Sequence, residues 1–464
     1  MGKKDIYKTA KNNSEHNQMG SRFSWVLMGA AMMTTVGVIF LLLALFGVSP
    51  VLSSDEAVLE VSYTRDIAPI LQESCQECHR PNRIGPFSLM TYEDARRNSW
   101  AIKQVTELRI MPPWHAKEGY GEFKNERMLK QEEIDTIGRW ADAGAPEGNP
   151  LDLPPPRKFA EEWQLGTPDI VLDPGADFRV RKSKRDFFWS FVLPFNPKED
   201  VWVSAIEVIP GASAVVHHTG LYVDPTGESL KLDKRSPGIG YPGNMEFSAY
   251  TILDFWTPGG TPQQLEAGTA WKIPADSHLV LDIHYAPDGK VHLDRTRVGL
   301  YLANGPVDKR VRFGVVGNTL FEIPAGERHY EVTASRKIPR DIHLVSGLPH
   351  MHYLGKEMKV WATLPSESIS PMVWVPHYDF HWQQVYVLKQ PLALPRDSRI
   401  DLVAYYDNSE ENPHNPHRRP RTVYFGQNAK NEMCFFYFHY TVDDEYLTRG
   451  QAVGYDGLEL RVGG

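Results

Sequence analysis

Short runs of alternating hydrophobic and polar residues fill the chain after Trp163, and this pattern restricts the fold more than any other feature. Phe187–Leu193 and Val201–Val208 are typical runs. Alternation with a period of two indicates β-strands, and the Gly- and Pro-containing turns between runs favour antiparallel sheets. Roughly 300 residues of this pattern exceed one sandwich, so we expect two all-β antiparallel, jelly-roll-like sandwiches, at residues 165–308 and 309–464.

The N-terminal region has the pattern of a membrane anchor. Residues 1–22 carry five Lys or Arg against two Asp or Glu, and the 24 residues Trp25–Val48 contain no charge. A run of this length can span a bilayer, and the positive residues before it predict a cytoplasmic N-terminus. We therefore expect a basic cytoplasmic tail at 1–22 and an uncleaved transmembrane signal anchor at 23–50, with a cleaved signal peptide as the alternative.

Cys75-Gln76-Glu77-Cys78-His79 has the spacing of a covalent haem c site. In this C-x-x-C-H signature the two thiols bond to haem and His79 becomes an axial ligand of the iron. A zinc half-site needs a second ligand pair, and a thioredoxin-like pair needs no adjacent histidine. The only other cysteine is Cys434, which also excludes a disulfide framework.

An all-α cytochrome c domain is expected around this signature, at residues 60–148. Met90, Met111, His115 and Met128 are candidates for the second axial ligand, and Met111 is preferred because Ile110-Met111-Pro112-Pro113 resembles the methionine loop of small cytochromes c. Ile134, Ile137 and Trp140 predict a closing helix over 132–141 that ends at Gly144. A Pro-rich linker follows at 149–164.

These features predict a location and exclude one class of partner. Haem attachment beyond a membrane anchor indicates a single-pass protein of the bacterial inner membrane with its catalytic domains in the periplasm. The formal net charge of −8 argues against a nucleic-acid partner.

Two groups of histidines are candidate metal ligands. His217 and His218 are adjacent, so both can reach one metal only at a bulge or strand end, and His284 lies near the end of a later strand. His350 and His352 are two apart and share one strand face. Three imidazoles suit copper or zinc, whereas two imidazoles with a thioether such as Met433 suit Cu(I). Hydrogen-bonded core histidines and a core methionine are the alternatives.

Residues from about 165 to 464 resemble the copper type II, ascorbate-dependent monooxygenases, the family of peptidylglycine α-hydroxylating and dopamine β-monooxygenases. Four motifs carry the resemblance in order: His217-His218, the strand Val280-Leu281-Asp282-Ile283-His284-Tyr285, the run His350–Lys356, and the run Asn431–Tyr440. The resemblance implies two copper ions: one held by His217, His218 and His284 that passes electrons, and one held by His350, His352 and Met433 where O₂ is activated. It also implies that the two coppers face each other across a cleft, and that Tyr437 lines the substrate pocket; a core aromatic is the alternative for Tyr437.

The chain departs from this family in ways that bear on function. Leu348 stands where peptide-hydroxylating members have an arginine, which argues against a glycine-extended peptide as substrate. A haem replaces ascorbate as the source of electrons in our hypothesis. We therefore predict a membrane-anchored, copper-dependent monooxygenase that hydroxylates a C–H bond of a small organic molecule with O₂. Its haem would take electrons from a quinol-linked donor or another cytochrome.

Three other functions are consistent with these residues. A non-catalytic periplasmic electron-transfer protein with haem and copper would use the same ligands without forming a hydroxylated product. A haem-linked binding module would contain haem and no copper. A zinc hydrolase using His217, His218 and His284 would leave the haem unexplained.

Overall fold

The computed structural model describes residues 60–458, except 82, 125, 161, 244–250 and 427. These residues form mostly β-structure, and about 14% of them are helical. The α-helices are α1 (Ala68–Ser74), α2 (Tyr92–Arg97), α3 (Ser99–Glu107), α4 (Gln131–Asp142) and α5 (Glu228–Arg235). A π-helical turn, Tyr63–Ile67, precedes α1, and 3-10 turns occupy Pro150–Asp152, Phe380–Trp382 and Leu447–Arg449.

The strands fall into two sets along the chain. The first set is β1 (Ile170–Leu172), β2 (Phe178–Val180), β3 (Phe187–Leu193), β4 (Val201–Ile209), β5 (Val216–Asp224), β6 (Tyr241–Pro242), β7 (Thr251–Trp256), β8 (Thr269–Ile273), β9 (His278–Tyr285), β10 (His292–Asp294) and β11 (Arg297–Leu302). The second set is β12 (Lys309–Asn318), β13 (Glu322–Ile323), β14 (Tyr330–Lys337), β15 (Ile342–His350), β16 (Gly355–Thr363), β17 (Ile369–Val375), β18 (Tyr386–Leu394), β19 (Arg399–Tyr406), β20 (Val423–Tyr424) and β21 (Cys434–Val442).

One eight-stranded sheet runs through both sets, in the order β1-β11-β4-β8-β12-β21-β15-β18. Its two halves join where β8 and β12 pair in parallel, at Lys309 and Thr269. A five-stranded sheet, β6-β3-β9-β5-β7, shares a core with the first half, and a four-stranded sheet, β14-β19-β16-β17, shares one with the second. The continuous sheet therefore joins the two β-cores through backbone hydrogen bonds.

The central strands of each core are buried on both faces. In β9, every residue after His278 is buried, because the strand lies between β3 and β5 in its own sheet. The chemically important residues of these strands, including His284 and Asp282, are thus shielded from water on a rigid element. This position matters for the metal-binding potential described below.

Helix α4 confirms the closing helix predicted from the sequence. Glu133 accepts a hydrogen bond from the backbone N–H of Lys130 at 2.7 Å and so caps the first turn. Gly144 follows the helix with φ = +85°, a conformation that glycine adopts without a steric penalty. Ile137 and Trp140 are fully buried in a small core shared with α1.

The predicted fold class is wrong in its helical part. Residues from Val61 onward form one compact unit rather than a separate all-α cytochrome c domain followed by sandwiches. The physical reason lies between α3 and α4, where Trp114 and Phe123 pack against Tyr386 of β18 with ring-centroid distances of 5.2 Å each. Lys124 also donates its backbone N–H to the carbonyl of Val387 at 2.8 Å. This segment completes the second β-core and is not part of an independent helical domain.

The predicted membrane anchor also needs correction. Among the described residues no helix is long and apolar enough to cross a bilayer, so the expected single-pass inner-membrane location is not supported. The basic tail at 1–22 and the apolar segment at 23–50 lie outside the described residues.

A buried ion-pair network lies where β21 ends, beside the first residues of β12. The carboxylate of Glu445 is fully buried and lies 2.7 Å from the guanidinium of Arg310 and 2.9 Å from that of Arg312. Both arginines lie on β12, the strand that joins the two β-cores. Burial raises the pKa of Glu445, but the two guanidinium groups and a backbone N–H outweigh this effect and hold it below its ordinary value.

Replacing Glu445 with Ala should lower the free energy of unfolding by about 3–5 kcal/mol, because two guanidinium groups would lose their buried partner. Urea unfolding followed by fluorescence measures the change. Lys198→Ala, which breaks an exposed pair with Asp276, serves as the control and should change the free energy by less than about 1 kcal/mol. Equal effects of the two substitutions would contradict a structural role for the network.

Candidate metal centres

His217 and His218 lie at a bulge in β5, which brings both imidazoles to one place. The β5–β9 register shifts between Val216 and His218, and His218 is paired directly with His284. The extra residue, His217, turns out of the regular alternation, as a bulge allows. The ring nitrogens Nδ1 of His217 and His218 are 3.1 Å apart. The bulge predicted from the adjacent histidines is therefore present.

His284 completes the first group. Ligand atoms of His217, His218 and His284 all lie within 4.8 Å of one another. Two ligands of a tetrahedral metal with bonds of 2.0–2.1 Å are separated by about 3.4 Å, close to the observed His217–His218 spacing. His284 is 1% exposed, and neither of its ring nitrogens has a hydrogen-bond partner. A buried imidazole without a partner is costly in an apolar core, and a bound metal would remove that cost.

Two side chains orient the first group. The ring of Phe188 stacks on His284 at a centroid distance of 4.3 Å and an angle of 11°. The Asp186 carboxylate lies 3.4 Å from Nε2 of His284, a longer separation than a hydrogen bond normally has. Carboxylates commonly accompany metal-ligating histidines and fix their orientation. Asp186 was not identified from the sequence, where it reads as one more charge in the run before β3.

The second group forms where two neighbouring strands of the central sheet end and begin. His350 is the last residue of β15 and pairs with Phe435 of β21. Met433 immediately precedes β21, and its Sδ lies 3.2 Å from Nε2 of His350. The rings of His350 and His352 are 5.2 Å apart. The antiparallel pairing thus brings together residues separated by about 80 positions in the sequence.

Hydrogen bonds determine which nitrogen of each imidazole is available. Nδ1 of His352 lies 3.0 Å from the carbonyl of Asn431, and Nδ1 of His350 lies 2.5 Å from Oε1 of Gln383. Gln383 donates its amide to the carbonyl of Phe380, which fixes Oε1 toward His350. Oxygens of this kind only accept, so each Nδ1 carries a hydrogen and each Nε2 keeps a free lone pair. Both imidazoles therefore have the tautomer that a metal ligand needs.

A buried carboxylate holds the loop of the second group. Glu432 is fully buried and accepts backbone N–H bonds from His352 at 2.8 Å, Leu354 at 2.6 Å and Met433 at 3.3 Å. Burial raises the pKa of Glu432 to about 8, although the three N–H bonds act in the opposite direction. One side chain thus positions both the histidine loop and the methionine. Its place beside Met433 was visible in the sequence, but its role depends on the loop conformation.

The histidines of both groups are neutral at physiological pH. Burial lowers the pKa of His217 and of His352 to about 3 and that of His350 to about 4. The pKa of His218 is also lowered well below its ordinary value, mainly by burial. Neutral imidazole is the form that binds a metal, so acid does not compete with metal binding near pH 7.

Phe380 and His381 lie between the two groups. The ring of Phe380 is 6.0 Å from that of His284 and 5.7 Å from that of His352. His381, for which the sequence offered no partner, has its ring 5.4 Å from that of His217. Tyr353 donates its hydroxyl to Asp186 at 3.2 Å and so links the second group to the first. Side chains, rather than an open cleft alone, thus occupy the space between the groups.

Tyr437 and Leu348 lie beside the second group in a buried apolar cluster. Tyr437 is 7% exposed, its ring lies 5.6 Å from that of His350, and it pairs with Leu348 across β21 and β15. Both belong to a cluster that also contains Phe313 and Tyr222. Cys434 is a buried free thiol next to Met433.

The cysteines of the haem signature follow helix α1. Cys75 and Cys78 form no disulfide, and His79 places Nδ1 3.1 Å from the carbonyl of Phe87. This arrangement leaves Nε2 of His79 free, as an axial ligand requires. Met111 remains a predicted ligand of the iron.

One part of the chain matches the model of a known family. Residues 319–450 match the family model described as copper type II ascorbate-dependent monooxygenase, C-terminal domain. The matched segment contains His350, His352 and Met433, whereas the first histidine group precedes it. The family consists of copper-dependent monooxygenases, which are oxidoreductases and act on small molecules with O₂.

The other comparisons add little. No curated protein matches the sequence. Among solved structures, the VP2 subviral particle of infectious bursal disease virus has 7% identity over 59% of this chain and 70% of that chain, with a TM-score of 0.17. The T13 particle of the same virus has 8% identity over 59% and 68% of the two chains, with a TM-score of 0.15. Scores this low carry no argument about fold or function.

In the metal-free protein, His217, His350 and His352 should stay neutral between pH 8 and pH 5. Unfolded histidine binds a proton near pH 6.5, so the unfolded state gains more protons than the folded state below that pH. Stability should therefore fall as the pH drops below about 6.5. NMR of the imidazole groups measures the titrations. His381 is the internal control, because its hydrogen bond with Asp379 raises its pKa. A titration midpoint near pH 6.5 for His217, His350 and His352 would contradict the lowering of their pKa values by burial.

Proposed function

We propose that this protein is a copper-dependent monooxygenase that hydroxylates a C–H bond of a small organic molecule. One copper ion would be held by His217, His218 and His284, and the other by His350, His352 and Met433. Electrons would reach the first copper from a haem c attached at Cys75 and Cys78. The donor to the haem would be a one-electron carrier such as another cytochrome.

The arrangement of His350 and Met433 is the observation that carries this proposal. Two imidazoles with fixed tautomers and one thioether, all from buried residues, form a soft donor set that favours Cu(I) over harder ions. Copper supplies the one-electron chemistry that O₂ reduction needs. Three protein ligands leave a further position open. The residues present therefore fit the group that the family of residues 319–450 implies.

The reaction requires two electrons, and two separate metal groups can provide them. For each turnover, R–H, O₂, two electrons and two protons give R–OH and H₂O. The first group, with three imidazoles and no thioether, suits a metal that stores and passes an electron. The ring of Phe380 lies near both groups, and the Tyr353–Asp186 hydrogen bond links them. Tyr437 would line the pocket for the substrate beside His350.

The environment of His79 supports the haem part of the proposal. Its Nδ1–H donates to the carbonyl of Phe87, which orients Nε2 for axial ligation. Cys78 lines a cavity of about 490 Å³ together with Trp256 and Gly259, and Gly259 lies directly against the Cys78 sulfur. Arg80 and Arg83 also line this cavity and could pair with the propionate groups of a haem.

The position of Trp256 supports electron delivery to the first group. Trp256 lines the cavity of Cys78 and pairs with Thr219 across β7 and β5. Thr219 directly follows His218. The backbone hydrogen bonds of one strand pair therefore connect the wall of the proposed haem cavity to a ligand of the first copper. Electrons delivered from the haem along this connection would replace those that ascorbate supplies in the family.

Purified protein should bind close to two copper ions per chain, and Met433→Leu should weaken Cu(I) binding at one of them by at least tenfold, because the thioether is lost. Competition with a Cu(I) chelator measures the affinities. Met372→Leu, another buried methionine, is the matched control and should bind as the wild type does. If copper does not bind in a stoichiometric amount after loading, the proposed monooxygenase function is refuted. Copper without substrate-dependent O₂ consumption in a broad substrate screen would favour the electron-transfer protein.

Protein produced with a haem-attachment system should carry one covalent haem, and the double variant Cys75→Ser, Cys78→Ser should carry none. The haem absorbance after denaturation measures attachment, and stopped-flow spectroscopy measures oxidation of the haem by the copper-loaded protein. Met433→Leu should still allow rapid transfer of the first electron. Full turnover by the haem-free variant with the same protein donor would contradict the proposed route.

A further inference from the structure

A cavity close to both candidate metal groups has no role in the function proposed so far. It has a volume of about 620 Å³ and lies between the 108–118 segment, the loop after His352 and the turn at 376–382. This volume is in the range of cavities that enclose small organic ligands. Trp114, Phe380 and Trp382 contribute aromatic surface to its wall.

Phe380 forms the partition between this cavity and the metal groups. It lines the cavity, and its ring also lies 6.0 Å from that of His284 and 5.7 Å from that of His352. Tyr353 also lines the cavity, and its ring lies 4.5 Å from that of Phe380. A molecule in the cavity would therefore lie one aromatic side chain away from either metal.

The charges around the cavity favour an anionic ligand. Its exposed rim carries three cations, Arg109, Lys117 and Lys356, against one acid, Glu118. The other acid in the lining is Asp379, whose carboxylate accepts hydrogen bonds from the backbone and ring of His381. Lys356 also lies 3.9 Å from the carboxylate of Asp407, which is outside the lining. Among the described residues Arg109 and Lys117 form no ion pair, so the rim keeps a positive excess above the aromatic side chains.

We propose that this cavity binds the organic substrate and that the substrate is an acid with an aromatic or extended apolar body. The apolar part would lie against Trp114 and Trp382, with the carboxylate at the rim beside Lys117 and Lys356. Phe380 lies between the bound body and the metals, so only a carbon atom that extends past its ring could reach the second group, where Tyr437 would line the site beside His350. This inference rests on the proposed monooxygenase function and specifies its substrate class.

The cavity is a feature of this chain rather than of the matched family segment. One wall comes from residues 108–118, which precede the segment 319–450 that matches the family. The wall is rigid at its base: Lys117 donates its backbone N–H to the carbonyl of Trp374 at 2.7 Å. The ammonium group of Lys117 also lies 3.8 Å from the centre of the Trp374 ring.

The test uses two fluorescent probes of similar shape and different charge with the full-length, haem-containing protein. The probes are 1-anilinonaphthalene-8-sulfonate, an aromatic anion, and the neutral N-phenyl-1-naphthylamine. The anion should bind more tightly. The double variant Lys117→Met, Lys356→Met should weaken binding of the anion roughly two- to thirtyfold and leave the neutral probe almost unchanged. Trp382→Ala should weaken both probes about tenfold.

Arg297→Met is the matched control, because Arg297 is a cation of the separate cavity beside Cys78. It should leave binding of both probes unchanged. Loss of anion binding in Arg297→Met, with no effect of the lysine substitutions, would place the anion in the other cavity and overturn the inference. Absence of saturable binding to the wild type would overturn it as well.

Copper loading distinguishes this inference from the proposed function. Because Cu(II) quenches nearby fluorophores, loading should quench the bound anion, and His352→Ala should reduce the quenching. Probe binding with no copper uptake would leave the cavity as a binding site and refute the monooxygenase. Copper uptake without probe binding would refute the substrate cavity alone. Copper uptake with no quenching of the bound probe would show that the cavity does not adjoin the metals.

Discussion

The antiparallel pairing of β15 with β21 is the interaction on which the rest of the structure depends. It lies at the centre of the second β-core, next to β12, the strand that connects the two β-cores. The same pairing brings the end of β15 to the start of β21, so that His350 faces Met433. Glu432 then fixes the two chain segments to each other through three backbone N–H groups. The strand pairing that builds the sheet therefore also brings the residues of the second group together.

Burial of the histidines explains why a metal is the simplest account of both groups. A neutral imidazole in a core needs partners for both nitrogens, and His284 makes a hydrogen bond with neither, although the Asp186 carboxylate lies 3.4 Å from its Nε2. In the second group each Nδ1 has an oxygen partner, while Nε2 of His350 has only a thioether near it. Buried ring nitrogens without a full set of hydrogen-bond partners lower the stability of a fold and are typical of residues that bind a metal ion.

Integration of the helical segment changes how the haem signature must be viewed. The residues between α3 and α4 complete the second β-core through Trp114 and Phe123, and they also form one wall of the large cavity. Cys78, which precedes α2, lies against Gly259 and lines a cavity together with Trp256 of β7. The helical region as a whole therefore contacts both β-cores, which an independent cytochrome domain on a linker would not do.

The sequence by itself determined the local features of this protein. Period-two alternation determined that the chain is mostly β, and the spacing of Ile134, Ile137 and Trp140 determined helix α4. The adjacent His217 and His218 limited a shared metal site to a bulge or a strand end. These features depend on residues close together in the chain, whose geometry follows from backbone periodicity. Membership of the ligand groups was anticipated through motif resemblance, not through periodicity.

Only the tertiary structure decided the long-range features. The joining of both β-cores by one sheet, the insertion of Trp114 into the second core and the roles of Asp186, Gln383 and Phe380 all depend on contacts between residues far apart in sequence. Their local patterns match those of ordinary charged, polar and aromatic residues, because packing and strand register give them their roles. The sequence thus named the candidate ligands, whereas the tertiary structure decided which side chains orient them and which lie between the two groups.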